Sequence, residues 1–326
     1  MNSLNLDWIK NSKFLVTGGA GFIGSNVVEA LIANNALEIT ILDDLCSGKR
    51  SNIEAFLALK NVKFVEGSIL NLELLKEIVQ ENMYILHLAA IPSVPRSLEF
   101  PIATFNANVV GTQNVLEAAR VKKAARVVLS SSSSIYGGIT SLVERTEDMT
   151  PAILSPYASH KLIGETLCLA FSKSFQVSTV ILRYFNIFGP KQDPNSLYAA
   201  VIPKFIRQTL NNEQITIFGT GEQSRDFTHV QNAVYANLLA TNPHKVLMGE
   251  IFNVGCGENY SINDLCEAIQ KMTQKKMSIN RVDARKGDPY YSKASIKKIQ
   301  DALGYQVRLN FEAGIRELIA EFTNKA

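Results

Sequence analysis

The chain has 326 residues, which is longer than most single domains and suits one large domain with a smaller appendage. Its formal net charge is only +3 at pH 7, with both signs scattered along the sequence. It therefore has neither the basic stripe of a nucleic-acid-binding protein nor an acidic tail. No apolar run is long enough to span a bilayer, and residues 1–10 lack the apolar core of a signal peptide. We expect no nucleic-acid partner and no membrane insertion.

The cysteines indicate the compartment. Cys46, Cys168, Cys256 and Cys266 are widely separated and lack the spacing of metal ligands. Such residues are typical of free thiols in a reducing environment. The sequence therefore predicts a cytoplasmic protein without a metal site.

The first predicted element is a strand over 14–16 that runs into a glycine-rich turn and a helix. The turn has the spacing G-x-x-G-x-x-G, with Gly18, Gly21 and Gly24. Gly18 and Gly21 leave no side chain between the backbone and a phosphate, and Gly24 lets the helix lie close to the strand. Because the first N–H groups of a helix are free and attract negative charge, this segment is predicted to bind a pyrophosphate.

A second strand, over 39–42, ends in Asp43, about twenty residues further on, as the dinucleotide-binding fingerprint requires. A carboxylate at this place accepts hydrogen bonds from the adenosine ribose and repels a 2′-phosphate, which predicts NAD and not NADP. The alternative is a solvated aspartate at a strand end. Lys49 and Arg50 are near enough in sequence to serve a 2′-phosphate, although a loop position suits them better.

Further along, short apolar runs alternate with segments of helical periodicity. Runs that are apolar throughout are covered on both faces, so the pattern predicts an α/β fold with a doubly wound parallel sheet of the Rossmann type. The other predicted strands cover 62–65, 84–88, 126–129, 178–182 and 251–254, and the predicted helices cover 25–33, 71–80, 106–121 and 157–175.

After residue 186 the alternation becomes irregular, with several prolines and a polar segment over 219–226. This change predicts a smaller, substrate-facing domain. Because 251–255 returns to a strand pattern, the predicted division is discontinuous. Residues 1–186 and 227–256 form the NAD-binding domain, and residues 187–226 and 257–326 form the substrate-binding domain.

The candidate catalytic groups are Ser132, Tyr157 and Lys161. Tyr157 and Lys161 are four residues apart, so they share one face of a helix. An ammonium group beside a phenol lowers the phenol's pKa from about 10 toward neutrality, where the phenolate acts as a base. Ser132 belongs to a serine run, 130–134, at the sheet edge where such folds bind ligands. The alternative is a surface helix with a tyrosine packed at its base.

Together these features resemble the extended short-chain dehydrogenase/reductases, and within them the UDP-hexose 4-epimerases, over essentially the whole chain. The further motifs are His87-Leu88-Ala89-Ala90, Ser93-Val94-Pro95-Arg96-Ser97, Asn108-Val109-Val110-Gly111-Thr112, residues 183–190, Ser224-Arg225-Asp226-Phe227 and Arg285-Lys286-Gly287-Asp288. Residues 183–203 and Pro92-Ser93-Val94 are most similar to bacterial epimerases that prefer UDP-N-acetylhexosamines.

The resemblance implies NAD-dependent inversion at C4 of a UDP-sugar, UDP-N-acetylglucosamine above all and UDP-glucose in addition. Tyr157 takes the proton of the 4-hydroxyl with help from Ser132, and Lys161 keeps the phenol acidic and holds the nicotinamide ribose. The implied cofactor contacts are Gly18, Gly21, Phe22, Ile23, Gly24, Asp43, Asp44, Ser47, Gly48, Ser68, Ile69, Leu88, Ala89, Ala90, Asn108, Tyr157, Lys161 and Tyr184. The implied substrate contacts are Ser93, Val94, Ser132, Ser133, Ser134, Asn186, Ala200, Val201, Lys204, Ile217, Phe218, Arg225, Arg285, Asp288 and Ser292.

The same resemblance implies a homodimer formed by the helices over 106–121 and 157–175. Departures from the family pattern are Ser68 and Asn232, where aspartates are usual, and Pro92, where galactose epimerases have a lysine. Ser292 aligns with a bulky tyrosine of the UDP-glucose-restricted enzymes. A serine predicts room for an N-acetyl group there, unless Tyr290 or Tyr291 fills the space.

Other activities remain alternatives. Related dehydratases resemble one another in having Asp-Glu where this chain has Ser133 and Ser134, and related decarboxylases resemble one another in having a glutamate at the Ser134 position, which argues against both activities. A UDP-glucuronate 4-epimerase shares the core chemistry, but the sequence does not locate a cation for the C6 carboxylate. A non-catalytic NAD-binding scaffold is disfavoured because Ser132, Tyr157 and Lys161 are all retained.

Overall fold

The computed structural model describes residues 6–193, 201–284 and 290–324. Three predicted substrate residues, Ala200, Arg285 and Asp288, lie outside the described residues. The strands are β1 (Lys13–Thr17), β2 (Glu38–Asp43), β3 (Val62–Glu66), β4 (Tyr84–His87), β5 (Arg126–Ser132), β6 (Thr179–Tyr184), β7 (Ile187–Phe188), β8 (Ile215–Phe218), β9 (Ser224–Arg225), β10 (Thr228–His229), β11 (Glu250–Val254), β12 (Tyr260–Ser261), β13 (Ile279–Val282) and β14 (Tyr291–Ser292).

The helices are α1 (Phe22–Ala33), α2 (Leu72–Ile78), α3 (Val94–Glu99), α4 (Pro101–Phe105), α5 (Gly111–Lys122), α6 (Pro156–Phe175), α7 (Val201–Leu210), α8 (Val230–Ala240), α9 (Ile262–Thr273), α10 (Lys297–Leu303) and α11 (Phe311–Asn324). A π-helical segment, Asn106–Val110, joins α4 to α5. Within the described ranges no helix is both long and apolar enough to cross a membrane.

The predicted doubly wound sheet is confirmed. Seven parallel strands lie in the order β11-β6-β5-β4-β1-β2-β3. In the middle of β1, Phe14 and Val16 pack into one core cluster and Leu15 packs into a second one, so three successive residues are apolar. Both faces of the strand are therefore covered, as expected for a parallel sheet with helices on each side.

The structure differs from the predicted limits at two places near the site. β5 continues to Ser132 because Ser130 and Ser131 keep pairing with β6, so the serine run begins inside the strand and does not follow it. The helix predicted over 106–121 is a π-helical segment followed by α5, and α4 precedes both. Apolar periodicity does not register such a change of helix type, because the side chains still face the same core.

A third core cluster joins Phe188, Phe205, Ile217 and Phe311 and is built from residues after 187. It fills the space between α7, α9, α11 and the short strand β8, which pairs with β13. The chain then returns to the main sheet, since Ile299 and Leu303 of α10 pack into the first cluster. The smaller part therefore contacts the large one along several segments.

Candidate active site

A cavity of about 860 Å³ lies at the carboxyl ends of the central strands. The strand order reverses between β4 and β1, and such a reversal opens a crevice at this edge of a doubly wound sheet. The predicted residues that line it are Gly18, Gly21, Phe22, Ile23, Gly24, Asp43, Asp44, Ser47, Ser68, Ile69, Leu88, Ala89, Ala90, Ser93, Val94, Ser132, Ser133, Ser134, Tyr157, Lys161, Tyr184, Asn186, Arg225 and Ser292. The fold thus brings most of the predicted site to one place.

The glycine turn leaves its backbone open to the cavity. Gly18 has a φ of +70°, and a Cβ there would lie 2.7 Å from the Ala89 backbone nitrogen. A Cβ on Gly24 would lie 2.1 Å from the Gly18 carbonyl oxygen, so only glycine permits this approach of helix and turn. Gly21 precedes α1 without capping it by a side chain, and the first turn has no acidic residue. The N–H groups of this helix end are therefore available to an anion.

Asp43 lies in the cavity wall, at the end of β2. Its carboxylate accepts hydrogen bonds from the backbone N–H groups of Ala20 (2.9 Å) and Leu45 (2.8 Å). Burial raises its pKa, and these hydrogen bonds act in the opposite direction. Gly48 lies directly behind, because a Cβ there would come within 2.7 Å of the carboxylate. The two N–H bonds fix the orientation of an acceptor group at this end of the cavity.

The candidate catalytic residues meet at the opposite end. Ser155 caps the start of α6, because its hydroxyl accepts the N–H of Ala158 at 3.2 Å. This cap places Tyr157 in the first turn, and Lys161 follows one turn later. The Lys161 ammonium donates to the Ser130 carbonyl at 2.8 Å and lies 5.9 Å from the centre of the Tyr157 ring. Helix periodicity and the end of β5 together make this cluster.

Tyr157 does not have the lowered pKa that the sequence predicted. Burial raises the pKa of its phenol to about 12, and the hydrogen bond from Ser132 only partly opposes this shift. The prediction was wrong, because burial raises the pKa of the phenol and the Lys161 ammonium group, which donates to the Ser130 carbonyl, does not offset the shift. Burial also lowers the pKa of Lys161 to about 8, while Glu165 acts to raise it.

The far end of the cavity is formed by β9 and β14, which pair in parallel with Ser292 opposite Arg225. Ser292 and Arg225 line the cavity, whereas Tyr290 and Tyr291 do not. Asp226 anchors this pair from behind. Its buried carboxylate accepts from the backbone of Cys256 (2.8 Å) and Gly257 (2.9 Å), and its own N–H donates to the Ser292 carbonyl at 2.7 Å.

Residues 14–255 match the NAD dependent epimerase/dehydratase family. The chain belongs to this family. Membership confirms both the resemblance to the extended short-chain dehydrogenase/reductases and NAD as the cofactor. The residues present also fit that group. The glycine turn leaves a cradle that a Cβ would fill, and Asp43 presents a carboxylate.

Solved members of the family have the same fold. A UDP-N-acetylglucosamine 4-epimerase from Methanobrevibacter ruminantium, in complex with UDP-N-acetylmuramic acid, is 35% identical, covers 97% of this chain and 99% of its own, and has a TM-score of 0.91. A UDP-glucuronic acid 4-epimerase from Bacillus cereus, with UDP-glucuronic acid and NAD, is 32% identical over 96% of this chain and 100% of its own, with a TM-score of 0.88. Among curated relatives, a UDP-N-acetyl-α-D-glucosaminuronate decarboxylase from Bacillus cytotoxicus is 33% identical over 94% of this chain and 97% of its own.

Some predicted site residues of this family member do not line the cavity. The Asn108 amide is engaged by the backbone N–H and carbonyl of Ile91, at 2.7 and 3.2 Å, so it braces the loop after β4. Ile217 is buried in the third core cluster, and Val201 packs against it. The other residues of this kind are Gly48, Lys204 and Phe218.

Sequence reasoning missed several wall residues, of which Arg96 is the most consequential. It lies on α3, one residue before Ser97, whose hydroxyl accepts the backbone N–H of Tyr157 at 3.1 Å. The motif Ser93–Ser97 was the available signal, but a sequence motif does not indicate that the arginine side chain lies in the cavity wall. Ala103 and Ala107 also line the wall, and small helical residues carry no sequence signal of their own.

Proposed function

We propose that the protein is an NAD-dependent UDP-sugar 4-epimerase whose substrates are UDP-N-acetylglucosamine and UDP-N-acetylgalactosamine. The observation that carries the proposal is the meeting of Ser132, Tyr157 and Lys161 in the same cavity as the glycine turn. A phenol, a hydroxyl and an ammonium group beside a dinucleotide cradle suit oxidation of a secondary alcohol.

Each of the three residues has a task in this proposal. Tyr157 takes the proton of the sugar 4-hydroxyl and later returns it. Ser132 accepts the N–H of Ser134 at 3.1 Å, so its own proton is free to stabilise the phenolate. The glycine turn and Asp43 would hold NAD, which would supply the acceptor for the C4 hydride and the hydride for return to the opposite face of the sugar. Lys161 is cationic below a pH of about 8 and favours the phenolate once the site is filled.

The same wall argues against dehydration or decarboxylation as the main reaction. Elimination of water needs a second acid and base, which the related enzymes are expected to place where this chain has Ser133 and Ser134. Among the described residues, no carboxylate is close enough to the Tyr157 phenol to shift its pKa. The proposal therefore does not carry decarboxylation over from that curated relative.

The choice of sugar rests on Ser292. Because this short side chain lines the cavity and Tyr290 and Tyr291 do not, there is room for an acetamido group at that wall. Binding of UDP-N-acetylmuramic acid by the Methanobrevibacter relative supports a UDP-N-acetylhexosamine. Arg225 holds the diphosphate while the sugar turns, since a guanidinium binds phosphate in a bidentate manner. The predicted discontinuous division gives these two residues to the substrate-binding domain.

The direct test is proton NMR of the purified holoenzyme incubated with UDP-N-acetylglucosamine, UDP-glucose or UDP-glucuronate. We expect a new C4 epimer from UDP-N-acetylglucosamine and a slower one from UDP-glucose. Inversion of UDP-glucuronate alone would favour the uronate enzyme, and loss of carbon dioxide would reveal a decarboxylase. No turnover of any UDP-sugar would support a non-catalytic scaffold.

We also propose that the protein is a homodimer. α3, α4 and the π-helical segment expose a row of apolar side chains, with Leu98 65% and Ile102 75% accessible. Phe105 and Val110 extend the row, and such a contiguous apolar face is typical of an interface. Light scattering should give twice the mass of 35.9 kDa, and Ile102→Glu should give the monomer. A monomeric wild type would contradict the assignment.

A further inference from the structure

Arg96 is a cation in the cavity wall that has no counter-ion among the described residues. Its side chain is half-buried in the wall, and in the described part of the chain no residue hydrogen-bonds or ion-pairs with its guanidinium group. The other charged wall residues have protein contacts. Lys161 donates to the Ser130 carbonyl, Asp193 pairs with Lys49 at 2.7 Å, and Arg225 donates to the Ser224 carbonyl. An arginine partly removed from water without an acceptor is poised for a ligand.

The position of Arg96 indicates which part of a bound ligand it contacts. Its own N–H donates to the Ser93 hydroxyl, and the adjacent Ser97 accepts from the N–H of Tyr157, so α3 is tied to the start of α6. Arg96 therefore belongs to the tyrosine end of the cavity. The glycine turn and Asp43 lie at the other end, and Arg225 is on β9. The placement of Arg96 at the tyrosine end therefore points to an anion carried by the sugar and not to the diphosphate.

We infer that Arg96 binds a carboxylate at C6 of the hexose, so that the site also accepts the uronic acid form of its UDP-N-acetylhexosamine substrate and binds that form more tightly. This inference rests on the proposed function, since it requires that the cavity binds a UDP-sugar. Ser292 gives room for the acetamido group and Arg96 supplies the cation for the C6 carboxylate. A planar guanidinium matches a carboxylate with two parallel hydrogen bonds, whereas a neutral C6 hydroxymethyl group offers it much less.

Calorimetry measures binding in the NAD-loaded Tyr157→Phe variant, in which turnover is slowed about 10²–10⁴-fold. The probes are UDP-N-acetylglucosamine and UDP-N-acetylglucosaminuronic acid, which differ only at C6. We expect the uronate to bind more tightly and to lose more affinity on addition of salt. Adding the substitution Arg96→Gln should lower the affinity for the uronate about 10- to 100-fold and the affinity for the neutral sugar by less than about threefold. Arg96→Lys should recover part of the loss.

The matched control is Arg316→Gln, which removes the same charge from an exposed position on α11. It should leave both affinities unchanged. Equal losses for both probes in Arg96→Gln would mean that the arginine binds the diphosphate, and no loss for either would leave it without a ligand role. Each result overturns the inference while the proposed function stands. Failure of both UDP-sugars to bind the parent variant would overturn both. If the parent variant shows neither a preference for the uronate nor a greater loss of its affinity on addition of salt, the inference is contradicted without any Arg96 variant.

Discussion

Glu165→Gln tests the buried ion pair that supports the catalytic helix. Glu165 lies on α6, one turn after Lys161, and receives two hydrogen bonds from Arg183, at 3.0 and 2.7 Å. The Ser131 hydroxyl donates to the same carboxylate. Both charged side chains are nearly inaccessible, at 3% for Arg183 and 2% for Glu165. The substitution removes the negative charge and leaves the guanidinium group buried without it.

Removing one partner of such a pair costs about 3–5 kcal/mol of unfolding free energy, because the remaining charge stays desolvated. The comparison variant Glu117→Gln breaks the solvent-accessible pair with Arg120 and should leave the unfolding free energy nearly unchanged, because an exposed ion pair contributes little. Replacing both members, with Glu165→Leu and Arg183→Met, removes the two charges together. The double variant should recover most of the stability that Glu165→Gln loses.

The same change has a readout in the site. Glu165 opposes the burial that lowers the pKa of Lys161 to about 8. Without the carboxylate this pKa falls further, so the ammonium group is lost at a lower pH. The alkaline limb of the pH profile of kcat/KM should therefore move to lower pH in Glu165→Gln, and Glu165→Asp should restore part of it.

Urea unfolding with an unchanged m-value measures the first effect, and initial rates across pH measure the second. A stability loss below about 1 kcal/mol, or a double variant no more stable than the single one, would refute the ion-pair reasoning. An unshifted alkaline limb would show that Glu165 has a purely structural role.

Three further outcomes follow from the site. Denatured protein should release NAD, and recovery of NADP would contradict the role of Asp43. The variant Gly24→Ala should lack NAD because the new Cβ meets the Gly18 carbonyl at 2.1 Å. The control Gly164→Ala should retain NAD, since the nearest contact of its Cβ is at 3.4 Å. Tyr157→Phe should lose about 10²–10⁴-fold in rate with its fold and NAD intact, and Ser132→Ala less, with the double variant equal to the larger single loss; full activity in Tyr157→Phe would place the base elsewhere. Ser292→Tyr should abolish turnover of UDP-N-acetylglucosamine and spare UDP-glucose, since an inserted ring excludes a substrate from a packed site; an equal loss on both sugars would show that Ser292 supports the fold.

The sequence alone predicted the features whose cause is local. Continuous apolar runs marked the central strands, since a strand covered on both faces needs apolar residues at every position. The glycine spacing predicted the turn, because contacts with Ala89 and within the turn itself exclude a Cβ. Tyr157 and Lys161 were placed on one helix face by their separation of four residues.

Features that depend on segments distant in sequence were decided only by the tertiary structure. Packing of α3 against α6 directs Arg96 into the cavity, through a hydrogen bond between Ser97 and Tyr157, which are 60 residues apart. Burial of the phenol reversed the predicted direction of its pKa shift, because desolvation comes from all the elements that surround Tyr157 and not from its neighbour on the helix. Periodicity and spacing in the sequence reflect the local requirements of a single helix, strand or turn. Which groups meet, and how much water they keep, is set by the way the elements pack.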